Sequence, residues 1–399
     1  MRIEYLTSRF PRTSETFIVR ELDALAGLPG VEVGVRSLFP SPDTTVHDVA
    51  RPWVPRLVRP SRADAARGLA WALATRPLRL LAALAIVVRA HTGSPALLPR
   101  ALIAFALATS HARQLAGTGA HVHAHYATYP ALAAWVCGRL AGTTYSFTAH
   151  AHDLYVDASM LHRKVADAEF VVTISEFNRA LLDDLGTGTE VDLVHCGVDT
   201  AAYPFVPRSI PASGPVRGLC VASLQEYKGH ATLLRALAVV DRLHLDLIGD
   251  GVLRTDLEKL AAELGVADRV RFLGPRSEAE VREALAAADL FVLPSVVARD
   301  GQMEGLPVAL MEALASGVPT VSTRLSGIPE IVVDGETGLL AEPADPASLA
   351  AALTRILEDA PEVVRARVEA GRALVCRDFE LRTEVGRLAG LFHRHLDRS

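Results

Sequence analysis

The chain has 399 residues, enough for two domains of ordinary size, and 50% of them are hydrophobic, so a large core forms without staples. A formal net charge of −5 argues against a general nucleic-acid binder. The cysteines (Cys137, Cys196, Cys220 and Cys376) have no CxxC or Cys/His ligand spacing, which reads as reduced thiols in a cytosolic protein.

The first residues contain no secretory apolar run, so no export is expected. "RIEYLTS" reads as a strand, "SETFIVRELDALAG" as a helix capped by Ser14, Glu15 and Thr16, and "VEVGVRSL" as a second strand. From Arg51 to Arg113 there are ten arginines (51, 56, 59, 62, 67, 76, 79, 89, 100, 113) and Asp64 as the single acid, interleaved with Trp53, Trp71 and leucines. The apolar runs Leu78–Val88 and Ala101–Ala108 fall short of the roughly 18 residues a membrane span needs, so they read as buried or interfacial helices. Two readings stay open for residues 51–113. The arginines line the wet faces of helices, or they form a surface that touches anionic lipid or a phosphate-bearing acceptor.

"HVHAHY", "TYSFTAHAHD" and "FVVTIS" are further strands, each followed by a helical pattern. His121, His123 and His125 alternate and so share one face. Zinc would need a fourth ligand and a closed shell, which favours His125 near an acceptor and the other two packed or exposed. Residues 198–217, with their prolines and small residues, read as a linker between domains. Beyond it, "VRGLCVASL", "LHLDLIGDG", "RVRFLG", "LFVLPS" and "PTVST" are short apolar strands alternating with helices, the pattern of a parallel sheet covered on both faces. Several end in Gly or Ser, where open α/β sheets place ligands, which makes Gly251 a candidate. After Pro346 the chain reads as helical to its end. The expected architecture is two doubly wound α/β domains facing across a cleft. Residues 1–205 form the first and 206–378 the second, with a last helix over 379–399 packing back on the first.

The stretch "GQMEGLPVALMEALASGVPTVST" places Glu304 before a helix start and Glu312 about two turns further on. Pro307 suits a first helical turn, because its missing N–H is one the helix does not use. The amides of Val308 and Ala309 then point outward with the positive end of the dipole, an anion site. Gly305 lets the backbone approach a ligand closely. Hydroxyls, then phosphates, then more hydroxyls fit this layout, the order found in a sugar nucleotide. A helix with one glutamate for its dipole and another on a wet face is the plainer alternative.

The run "EGLPVALMEALASGVPTVST…GIPEIVVDGETGLL" resembles the signature of glycosyltransferase family 4, retaining enzymes of the GT-B fold. "SRFPRTSETFIVREL", "HAHYATYPALAAWV", "YSFTAHAHDLY" and "VVTISEFNRALL" further resemble the subgroup that builds colanic acid and other exopolysaccharides. The resemblance covers nearly the whole chain. It implies that Glu304 contacts the donor sugar hydroxyls and Glu312 the nucleotide ribose. The backbone of Gly305, Leu306, Pro307 and Val308 would hold the sugar and diphosphate.

A diphosphate at this sheet edge needs a cation, and no DxD follows an apolar strand. Lys228 in "SLQEYKGH" is therefore expected to neutralise the phosphate. The family often places an arginine five residues before it, where this chain has Ser223; Arg299 is a substitute. The resemblance puts the base near Gly274–Arg276, with Arg276 either stacked on it or facing solvent. "FTAHAHD" matches the family's strand-end histidine and following acid. His150 would lie near the anomeric centre, with Asp153 orienting the loop, against a plainer reading of His150 as a strand-end cap. On the acceptor side are His125, Asp153, Thr16 and Arg12, the last reaching for an acceptor phosphate.

The resulting expectation is a cytosolic, metal-independent retaining transferase with His150, Glu304 and Lys228 at its reacting centre. Its co-substrate is a nucleoside-diphosphate sugar, with a lean to uridine, and it needs no other cofactor. The acceptor is a hydroxyl on a glycan, a lipid-linked or a small molecule. Three alternatives remain: decoration of secondary metabolites, a sugar-nucleotide epimerase, and a non-catalytic sugar-nucleotide-binding module.

Overall fold

The computed structural model describes residues 1–12, 15–43, 46–94 and 96–396, so Ser14 lies outside the described residues. The chain divides into two compact units, 1–194 with 385–399, and 195–384. These limits differ by eleven and six residues from the 205 and 378 read from the sequence.

The first unit holds a seven-stranded parallel sheet, order β3-β2-β1-β4-β5-β6-β7. Its strands are β1 (Arg2–Arg9), β2 (Glu32–Phe39), β3 (Leu57–Val58), β4 (His121–His125), β5 (Tyr145–Ala149), β6 (Phe170–Thr173) and β7 (Val191–Leu193). The second holds a six-stranded sheet, order β10-β9-β8-β11-β12-β13. It is made of β8 (Val216–Val221), β9 (Leu243–Ile248), β10 (Val270–Gly274), β11 (Leu290–Leu293), β12 (Thr320–Thr323) and β13 (Leu339–Ala341). In both sheets the order reverses once, between β1 and β4 and between β8 and β11. Crevices outside the carboxyl ends of the strands at such a reversal are where open α/β sheets bind ligands.

Local sequence explains most elements. β4, β5 and β6 are buried along their whole length, which is why they lack polar alternation. Helix α1 (Thr16–Ala26) turns Ile18, Val19, Leu22 and Leu25 inward at helical spacing. Its start differs from expectation. Glu15 occupies the N-cap without a side-chain cap bond, and Thr16 is the first helical residue. Helices α2 (Arg62–Thr75), α3 (Pro77–His91) and α4 (Leu98–Leu115) carry the arginine-rich segment, and α5 (Tyr129–Ala141) buries Trp135. The helix Leu381–Leu396 buries Val385, Leu388, Ala389, Leu391 and Phe392; the Phe392 ring lies 5.7 Å from that of Phe170.

The proline-rich segment after Val198 is no free linker. Val206 N–H donates to Ser316 O at 3.3 Å and Arg208 N–H to Gly317 O at 2.9 Å. Arg372 donates to the carbonyls of Thr200 and Tyr203 at 3.1 and 3.2 Å, so this backbone is held on the second unit.

Candidate active site

In the second unit the chain leaves β8 through Ser223 and a single 3-10 turn, Glu226–Lys228. Gly229 follows at φ +73, and a Cβ there would stand 1.8 Å from Pro294 O. Only glycine therefore lets this loop rest on the chain leaving β11. That close seat brings Lys228 Nζ against the Glu304 carboxylate, 4.8 Å from the Tyr227 ring centroid. The two side chains are 14% and 12% exposed. Burial alone would lower the lysine pKa, but the Glu304 charge, with Tyr227 behind it, outweighs burial and leaves it above its ordinary value. The expected phosphate cation is thus already paired with the expected sugar-binding carboxylate.

Pro307, with ψ 112, is the N-cap of the helix Val308–Ser316 rather than a residue of its first turn. No side chain caps this end, so its first N–H groups face ligand or water. Glu312 is therefore the fifth helical residue, little more than one turn in. Its Oε1 accepts from Tyr203 Oη at 2.6 Å. Ser326, at φ 46, donates to the carbonyls of Glu304 and Gly305 and fixes the loop that carries them. Sequence reasoning missed Tyr203 and Ser326, since neither lies inside the two-glutamate run. Leu306 and Pro307 are buried behind the helix start.

The remaining donor-side candidates fall on neighbouring strand ends. Gly251 sits where a Cβ would come 2.5 Å from Leu224 O, so the loops after β8 and β9 are tied backbone to backbone. Gly274, at φ +71, ends β10. Arg276 is exposed, with its Nε 3.8 Å from Glu280, and Arg299 is 93% exposed and pairs with Glu226 at 3.3 Å. Neither is held against Lys228 by these contacts.

In the first unit all three β4 histidines are buried, at 2%, 0% and 0% exposure, so none is exposed as one reading allowed. They face β5 in a ladder. His121 bonds Thr144 Oγ1 and Ser146 Oγ at 2.9 and 2.7 Å, and His123 bonds Ser146 Oγ and Thr148 Oγ1 at 2.8 and 3.0 Å. His125 stands apart. Its Nδ1 lies 3.1 Å from His150 Nε2 and its Nε2 3.1 Å from Glu21 Oε1. Burial, then the neighbouring His125, holds the His150 imidazole well below its usual pKa, so it is neutral.

Asp153 is fully buried, and its oxygens accept from the amides of Ala127 (2.7 Å), His150 (3.1 Å) and Ala151 (2.8 Å). It binds the loops after β4 and β5 to each other instead of reaching outward. Arg12 is paired with Asp43 at 3.4 Å. Glu21, which sequence reasoning missed, shows its role only when α1 is laid beside β4.

Two parallel α/β units, one with a basic side chain and an open helix start at its strand-order reversal, match the GT-B architecture expected from the sequence. The family model "Glycosyl transferases group 1" matches residues 209–373. The amylovoran biosynthesis glycosyltransferase AmsK of Erwinia amylovora is 34% identical over 237 residues, 58% of each chain. A GDP-mannose-dependent alpha-(1-6)-phosphatidylinositol monomannoside mannosyltransferase of Mycolicibacterium smegmatis is 31% identical over 260 residues, 61% of this chain and 68% of the relative. The first relatives are matched over little more than half their length. Among solved structures, sucrose-phosphate synthase from Thermosynechococcus elongatus superposes with a TM-score of 0.74 at 20% identity over 100% of both chains. Anabaena Alr3699/HepE in complex with UDP gives 0.72 at 16% identity, over 99% of this chain and 100% of that one. The chain belongs to the group 1 glycosyl transferases and has the GT-B fold.

Proposed function

We propose that this protein transfers a sugar, with retention, from a nucleoside-diphosphate sugar to a hydroxyl acceptor in the assembly of a surface polysaccharide or related glycan. The Lys228–Glu304 pair before the uncapped start of the helix Val308–Ser316 carries this reading. A diphosphate takes its charge compensation from Lys228 and the helix end, while Glu304 is released to the sugar hydroxyls. Departure of that diphosphate is assisted electrostatically without a divalent ion, and the departing phosphate helps take the acceptor proton on the same face. In this reading the first unit holds the acceptor and the second, from 206 on, the donor. Glu312 holds the ribose, and Gly274 lies toward the base.

The relatives named for amylovoran and colanic acid biosynthesis support the polysaccharide assignment, and the UDP in the HepE crystals supports a uridine donor. A thermal-shift screen over UDP- and GDP-sugars tests it. A bound donor at 100 times its Kd stabilises by about 2.7 kcal/mol. Incubation with the stabilising donor alone should give slow hydrolysis, unchanged by chelator. Epimer formation, or binding without any turnover even with acceptors, would refute the transferase reading.

Among the described residues no helix is long and apolar enough to cross a membrane. Along α3, however, Leu78 (81% exposed), Leu81 (56%) and Val88 (37%) recur at helical spacing with Ala82 and Ala85, and the exposed Arg79 and Arg89 stand on the same helix. An exposed apolar face with arginines beside it suits a helix lying on anionic lipid, and we assign residues 51–113 that contact. Leu78→Asp with Leu81→Asp should abolish cosedimentation with vesicles containing phosphatidylglycerol while leaving donor-induced stabilisation intact. Equal binding of the variant would refute the assignment.

A further inference from the structure

Asp199 accepts from the Ala201 N–H at 3.1 Å and starts a 3-10 turn over Thr200–Ala202, which Tyr203 ends. Arg372, on the helix Pro361–Asp378, fixes the backbone there. Its Nη1 donates to Tyr203 O at 3.2 Å and to Ala315 O at 2.7 Å, and its Nη2 to Thr200 O at 3.1 Å. Ala315 lies on the helix Val308–Ser316, which also carries Glu312, so one guanidinium ties the tyrosine backbone to the glutamate's helix. Beyond Tyr203 the Val206 and Arg208 amides are bonded to Ser316 O and Gly317 O, at the end of the same helix. The Tyr203 side chain, 3% exposed, reaches back along that helix and donates from Oη to Glu312 Oε1 at 2.6 Å. We propose that Tyr203 is a positioning residue of the nucleotide site. It holds the Glu312 carboxylate in the orientation that receives the 2′- and 3′-hydroxyls of a ribose, and so favours ribonucleoside over 2′-deoxyribonucleoside diphosphates.

This role rests on Glu312 being the ribose contact, and it falls to a residue 109 positions away in sequence. A glutamate left to water spreads over its rotamers and must be ordered when a ligand arrives. A bond from a phenol whose backbone and ring are already fixed meets that cost before binding. The carboxylate offers only acceptors, so a vicinal diol donates to it twice and a 2′-deoxyribose once. Setting the carboxylate plane in advance therefore helps the diol more. A residue that only filled space would need no hydroxyl, since phenylalanine occupies nearly the same volume.

Calorimetric titration of UDP and GDP, each beside its 2′-deoxy form, into the full chain, Tyr203→Phe, Glu312→Ala and the double variant tests the role. In Tyr203→Phe the Kd of the ribonucleotide that binds should rise about five- to tenfold, and that of its deoxy form less than about twofold. With Glu312 already replaced by alanine, Tyr203→Phe should add less than about twofold. Three results overturn the role: unchanged affinity in Tyr203→Phe, an equal loss for the two sugars, or the same loss in the Glu312→Ala background. A Tyr203→Phe protein that melts lower but keeps its preference for ribose does so too, because Glu312 then merely satisfies a buried phenol. If Glu312→Ala weakens binding and Tyr203→Phe does not, the positioning role alone fails. If Glu312→Ala keeps full affinity, or the unsubstituted chain binds neither nucleotide, the ribose reading fails and takes the role with it.

Discussion

Glu304→Ala is expected to cut turnover by two to three orders of magnitude while leaving nucleotide binding intact or tighter; Lys228→Ala should do the reverse, weakening donor binding first. The asymmetry follows from the pairing of the two side chains in the absence of donor. In the proposed reading, removing Glu304 frees the ammonium for a diphosphate but deletes the acceptor of the sugar hydroxyls, and loss of one preorganised polar contact at a reacting centre costs about 2.7–4 kcal/mol. Removing Lys228 deletes the proposed phosphate cation and also leaves Glu304, 12% exposed, as a nearly buried charge without its partner. Breaking a buried pair from one side destabilises by about 3–5 kcal/mol. The double variant should therefore be more stable than Lys228→Ala alone. Chemical denaturation of the three variants, with nucleotide titration and initial rates, checks this. Equal nucleotide affinity in both single variants would remove the pair from the donor site.

The second large effect is acid lability. His111, His121, His123, His150 and His230 are all 5% exposed or less. Burial is the main cause in each case, and it lowers their pKa to about 3 for His111 and His121, about 4 for His230, and well below the usual value for His123 and His150. Unfolded, each takes up a proton near pH 6.5. Below that pH the unfolded chain binds more protons than the native one. Stability is therefore full above about 6.5 and falls as pH drops toward the depressed folded values, by up to about 1.4 kcal/mol per histidine per pH unit. Glu15 works in the opposite direction, since burial raises it to about 7 despite the pull of Arg12 and His125, and it offsets one histidine between pH 4.5 and 7. The net loss of several kcal/mol per unit compares with a typical total of about 5–15 kcal/mol. The protein should melt at least 15 °C lower at pH 5.0 than at pH 7.5. Equal melting temperatures would show that these imidazoles are not buried neutral.

Strand periodicity and the two-glutamate run made both sheets and the loop and helix around Glu304 legible, because continuous apolar strands and a Gly-Leu-Pro turn are local signals. Three strands escaped, β3, β7 and β13, each two or three residues long and too short to show a pattern. The helix start was misjudged by one residue at Pro307, whose extended ψ belongs to a cap. The segment after Val198 read as a linker because its prolines carry no record of the Arg372 and Gly317 contacts that hold it down.

The histidines divide the two kinds of information most sharply. Alternation along "HVHAH" was enough to put three imidazoles on one face, since side-chain period in a strand is a property of the backbone. Their partners lie 23 to 104 residues distant in sequence, and neither spacing nor composition encodes which hydroxyl or carboxylate arrives opposite. The same holds for Lys228 and Glu304, 76 residues apart and joined where the strand order reverses. Sequence by itself determined the class of fold and the residue types available for chemistry. Only the tertiary structure decided which charges neutralise one another and which imidazoles are buried without charge, because those depend on desolvation and on distances of a few ångströms.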